Sequence, residues 1–98
     1  MRFRIKCENR EELKKFLDEF MSECEEEYRK QRSSGLFKSI PLPEFAQTYA
    51  DEGDYVILRN SFAMPFVLRG RVGGKMEKNL KGFLESKGLK VEVKFIGD

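Results

Sequence analysis

Histidine and tryptophan are absent from this 98-residue chain, and each scarcity narrows what it can do. Without histidine, the commonest general base and metal ligand is gone. The only two cysteines, Cys7 and Cys24, stand far apart, form no C-x-x-C motif and cannot build a tetrahedral thiolate site by themselves. No apolar run approaches the ~18 residues that cross a bilayer. The N-terminus alternates charged and apolar residues, where a signal peptide would carry a basic block followed by an apolar one. The expectation is a soluble, cytoplasmic, non-catalytic protein with no metal, no cofactor and no membrane partner.

What the chain has in quantity is charge of both signs. Charged residues make up 37% of it, against about 25% in ordinary domains. The net charge is nevertheless only +2, too small to indicate a polyanionic partner unless the charges are segregated. Abundant Lys and Glu with few Asn and Gln is a thermophile-like balance, suited to surface ion-pair networks. The length fits one domain over residues 1–98, with a core adequate for independent folding.

The periodic segments read strand, helix, strand, strand, helix, strand. Arg2 to Cys7 alternates, with Phe3, Ile5 and Cys7 on one side and Arg2, Arg4 and Lys6 on the other. Asn9 is a good N-cap, and Glu12 completes a capping-box pattern. From Glu11 to about Arg32, Leu13, Phe16, Leu17, Phe20, Met21, Cys24 and Tyr28 form one apolar helical stripe. Cys7 and Cys24 are expected to be inert core thiols. Two apolar runs, Tyr55 to Asn60 and Phe66 to Val72, read as the middle strands, with Asn60 and Ser61 as turn residues between them. A second helix spans about Lys75 to Lys87, with Gly88 as its C-cap, and Leu89 to Ile96 alternates again as a last strand. This order suits an α+β, ferredoxin-like βαββαβ sandwich: two helices on one face of a four-stranded, mostly antiparallel sheet.

Residues 33–54 form an elaborated connection before the second strand, long for a structureless loop. Leu36, Phe37, Ile40, Leu42, Phe45 and Tyr49 make it too apolar for a disordered linker. Leu36 to Ile40 reads as an extra strand and Pro43 to Ala50 as a short helix. The segment either folds back over the core or docks a protein partner or sister chain, which is the alternative function.

The sharpest local motif is Arg69-Gly70-Arg71-Val72-Gly73-Gly74-Lys75, read as a basic, Gly-rich turn from strand into helix. Glycines permit close backbone approach, and free amides at a helix N-terminus attract anions. Walker and dinucleotide spacings are absent. Gly70-Arg71-Val72 resembles the opening of the acylphosphatase phosphate cradle. Here it lies in the second βαβ half and lacks the arginine that ends the family's loop, so no activity is carried over. The acidic turn Asp51, Glu52 and Asp54 around Gly53 lacks calcium-loop spacing.

Strand alternation places Arg2, Arg4, Lys6, Lys90 and Lys94 on the sheet face away from the helices, relieved by Glu92. The outer side of the first helix carries Glu11, Glu12, Asp18, Glu19, Glu23, Glu26 and Glu27. The near-neutral total thus hides a polarised molecule. The leading expectation is a nucleic-acid-binding domain for RNA or single strands. In it Arg2, Arg4, Lys6, Lys90 and Lys94 neutralise phosphates, and Arg69, Arg71 and Lys75 clamp one at the Gly-rich turn.

Overall fold

The computed structural model describes residues 1–33, 46–61 and 66–97, with two helices and a four-stranded antiparallel sheet. The elements are β1 (Arg2–Lys6), α1 (Arg10–Ser33), β2 (Gln47–Glu52), β3 (Tyr55–Asn60), α2 (Phe66–Ser86) and β4 (Glu92–Phe95). The strands are ordered β2-β3-β1-β4, so β1 lies inside the sheet between β3 and β4. No described helix is long and apolar enough to cross a membrane.

Register follows from the alternation in β1. Phe3 stands opposite Leu58 and Phe95, and Ile5 opposite Val56 and Val93, which gives the sheet one apolar face. Leu13 and Leu17 from α1 and Leu80 and Leu84 from α2 pack into the same cluster as Phe3 and Ile5, all essentially without solvent exposure. Each such side chain contributes roughly 1.5–3 kcal/mol by leaving water. Both helices therefore share one core on this face. Cys7 packs at its margin, whereas Cys24 and Tyr28 are half-buried outside it. Both cysteines are free thiols.

The helix ends are closed as the residues dictate. The Glu12 amide donates to Asn9 Oδ1 at 3.2 Å, making Asn9 the cap of α1. At the end of α2, Gly88 adopts a left-handed φ of 87°, its amide donates to the Glu85 carbonyl, and the Leu89 amide donates to the Leu84 carbonyl. That pair of bonds is a Schellman closure, which a Cβ at position 88 would strain.

Three expectations are corrected. Phe66 to Val72 is not a strand but the opening of α2, because Val72, Met76, Leu80, Phe83 and Leu84 continue a single helical stripe. Pro43 to Ala50 does not end as a helix, since Gln47 to Ala50 belongs to β2. The turn between the middle strands is not Asn60-Ser61 but Gly53-Asp54, a two-residue loop closed by the Glu52–Tyr55 pair. Gly53 has a φ of 64° there, the positive value that a type II′ hairpin needs at its first central position. The extra strand at Leu36 to Ile40 lies outside the described residues.

Polar clasps fix where the helices sit. The Tyr49 hydroxyl donates to Asp18 at 2.9 Å, and Asp51 accepts from both Arg10 and Lys14, holding α1 over the β2 side. On the opposite side α2 packs against β4, where Glu77 accepts the Phe95 amide at 2.9 Å. Lys87 joins the helices, reaching Glu19 at 3.1 Å and lying over the Phe83 ring.

Candidate nucleic-acid interface

The face of the sheet away from the helices is set by the same register. Arg2 stands opposite Arg59, Arg4 opposite Ile57 and Lys94, and Lys6 opposite Glu92. Arg2, Arg4, Lys6 and Lys94 therefore share this open face, and Arg59 joins them. Lys90 precedes β4 and is exposed. Ile57 is nearly buried despite pointing this way. Arg59 and Glu52 meet at 3.6 Å across the Ala50–Ile57 pair and cover it.

The Gly-rich passage has a different role from the one its sequence suggests. Gly70, Gly73 and Gly74 lie inside α2, where backbone amides are committed to the helix rather than offered to an anion. Gly73 is buried, and a Cβ built on it would fall 2.5 Å from the Phe95 ring. Its glycine lets α2 approach β4, whose Phe95 in turn meets Phe3 in a tilted contact with centroids 5.4 Å apart. The strand-to-helix turn expected to carry Arg69, Arg71 and Lys75 is therefore not present, and the three positions fall within α2. Arg71 and Lys75 are instead exposed on one side of α2, one turn apart, with Lys78 and Lys81 continuing the run. The Arg69 side chain lies outside the described residues.

The two basic regions meet at the β4 edge. An open cleft of about 470 Å³ is lined by Arg4, Lys6 and Tyr55 from the open face, Glu92 and Lys94 from β4, and Glu77 and Lys81 from α2. Among the described residues Arg4, Lys6, Lys81, Lys90 and Lys94 take part in no ion pair, while Arg10, Lys14, Arg59 and Lys87 do. The acidic residues Glu11, Glu12, Asp18, Glu19, Glu23, Glu26 and Glu27 are all exposed on α1, over the other side of the sheet. Segregation thus runs from an acidic α1–β2 side to a basic α2–β4 side that continues onto the open face.

Sequence reasoning missed Lys78 and Lys81, although both fall inside the helix expected over about Lys75 to Lys87. It also left the direction of Tyr55 open. Tyr55 pairs with Glu52 on the open face, and the Arg4 guanidinium lies 4.6 Å from its ring centroid. A second depression, about 630 Å³, lies where Lys6 and Lys90 meet Glu8, Glu12 and Glu92; its mixed charge offers no anion site. No group of His, Cys, Asp or Glu suited to a metal ion occurs among the described residues. Of the apolar residues expected to dock a partner, Leu36, Phe37, Ile40, Leu42 and Phe45 lie outside the described residues. Tyr49 is half-buried against the core and bonded to Asp18.

Burial, reinforced by Glu23 and Glu25, pushes the Cys24 thiol up to about 11, which suppresses the thiolate needed for nucleophilic chemistry. Hydrogen bonding from Lys14, with the Lys14 and Arg10 charges behind it, holds the Asp51 carboxyl below its usual range against a smaller desolvation effect. Neither Cys24 nor Asp51 lines the basic cleft. No family model, curated protein or solved structure matches the chain.

Proposed function

We propose that this protein is a non-catalytic nucleic-acid-binding domain of ferredoxin-like architecture, holding RNA or a single strand on its open sheet face and β4 edge. The β-α-β-β-α-β order with β1 inside the sheet supports the architectural part. The observation that carries the functional part is the pairing of Arg4 with Lys94. Like charges directly opposite on adjacent strands destabilise a sheet, and here neither cation has an ion-pair partner among the described residues, Arg4 lying instead over the Tyr55 ring. A phosphate backbone laid across β1 and β4 supplies the missing negative charge. Lys6, Lys81 and Lys90 extend the track on either side, and Arg71, Lys75 and Lys78 prolong it along α2. Arg2 lies next to Arg4 on the same face, and its Nε atom is buried without a partner.

Backbone-dominated binding of this kind is steeply salt-dependent, because each neutralised phosphate releases counterions. The test is fluorescence anisotropy of labelled single-stranded RNA and DNA titrated with the protein. Binding tighter than ~10 μM near physiological salt supports the proposal, provided it is lost when Arg2, Arg4 and Lys6 are changed together to Ala. Absence of binding even at low salt overturns it.

A further inference from the structure

Resting on the nucleic-acid reading above, we infer that the Arg4–Tyr55 stack is the seat of an unpaired base, so that the strand bound is single rather than duplex. Tyr55 sits on the open face at the start of β3, outside the apolar core cluster, so its ring is not there to fill the interior. The Arg4 guanidinium lies over this ring, 4.6 Å from guanidinium carbon to ring centroid. Both side chains line the cleft whose other cations are Lys6, Lys81 and Lys94. The tyrosine hydroxyl makes no hydrogen bond among the described residues.

Aromatic rings and guanidinium planes are the surfaces on which splayed bases stack, and stacking needs a base whose face is free. A duplex hides those faces, and reading its groove takes an inserted helix or ribbon. The open sheet here offers a stacking platform beside a row of cations. The cleft also holds two carboxylates, Glu77, which accepts the Phe95 amide, and Glu92, which stands opposite Lys6, and its cations Arg4, Lys6, Lys81 and Lys94 outnumber them. Arg4, Lys81 and Lys94 remain for the phosphates flanking the stacked base. From there the backbone turns over the β4 edge toward Lys78 and Lys75 on α2. Tyr55 is thus a base-contacting residue, and Arg4 serves twice, as cation and as stacking plane.

The experiment compares labelled oligonucleotides of about eight residues in three forms: a normal single strand, the same strand with abasic sites, and its duplex. Wild-type protein is set against Tyr55→Ala, Tyr55→Phe and Arg4→Lys. The expected result is preference for the normal strand over both other forms. Tyr55→Ala lowers its affinity by about tenfold or more while leaving the abasic strand unaffected, and Tyr55→Phe retains binding. Arg4→Lys weakens the normal strand without changing the salt slope. Equal affinity for normal and abasic strands, or for duplex, overturns the base seat while leaving phosphate-driven binding intact. Failure of wild-type protein to bind any of the three overturns the nucleic-acid reading itself.

Discussion

Arg4 on β1 and Lys94 on β4 stand directly opposite each other, two cations in register with no ion-pair partner among the described residues. The neighbouring cross-strand pair is Lys6 with Glu92, the opposite-charge arrangement that sheets favour. One position is therefore balanced and the next is not. Such an imbalance is expected where a surface is kept for an anionic partner rather than for stability.

Lys94→Glu tests that trade-off. Converting the like-charge pair into an opposite-charge one is expected to stabilise the protein by roughly 0.2–1 kcal/mol, measured by urea denaturation at low salt. The same change is expected to weaken nucleic-acid binding. A variant that gains stability and keeps full binding would show that Lys94 does not meet phosphate.

Gly73 and its neighbours separate packing from helix propensity. Gly73→Ala forces a methyl into the Phe95 ring and is expected to destabilise by about 1–3 kcal/mol. Gly74 and Gly82 meet nothing within 4 Å, so their change to Ala is expected to stabilise α2 by up to about 1 kcal/mol each. Thermal melts of the three variants check the contrast.

These glycines also explain what was readable in the sequence. β1, α1 with its Asn9 cap, the Gly88 stop and the alternation of β4 are each written locally, as a period or a cap. Phe66 to Val72 misleads because three glycines nearby lower helix propensity, and only the tertiary contact of Gly73 with Phe95 shows why a glycine is needed at that one position. β2 is obscured because Asp51 and Glu52 read as an acidic loop. Asp51 is held in the strand by Arg10 and Lys14, which are 41 and 37 residues away in sequence. The Gly53-Asp54 pair was the available hairpin signal. At the candidate site, the open-face cations were legible from alternation. The facing of Tyr55 and the meeting of Lys81 with Arg4 and Lys94 were not, since they depend on the β2–β3 register and on how α2 packs against β4.

Asp51 gives the fold an acid-side sensitivity. Its folded-state carboxyl is held below its ordinary value, chiefly by the hydrogen bond from Lys14. The stability it confers is therefore present above the unfolded value of about 3.9 and lost as pH falls through the lower folded value. Asp51→Asn is expected to be less stable than wild type at neutral pH, with the difference shrinking below about pH 4. Urea titrations across pH 2.5–7, as an approximate working range, report both curves.

Cys24 is expected to be sluggish. With its thiol pushed up to about 11, mainly by burial, alkylation at pH 8 should run roughly two orders of magnitude below that of an ordinary thiol and rise steeply with pH. Mass spectrometry of iodoacetamide-treated protein, with Cys24→Ser as control, identifies the site.

The most direct test of the basic interface is the salt dependence of single-strand binding for wild-type protein and an Arg4→Ala/Lys94→Ala double variant. If each cation neutralises one phosphate, log Kd against log salt should lose about 1.4 units of slope in the double variant, with the affinity gap widest at low salt. An unchanged slope, with wild type and variant binding alike at every salt concentration, would contradict the account, since phosphate would then not be meeting the Arg4–Lys94 pair.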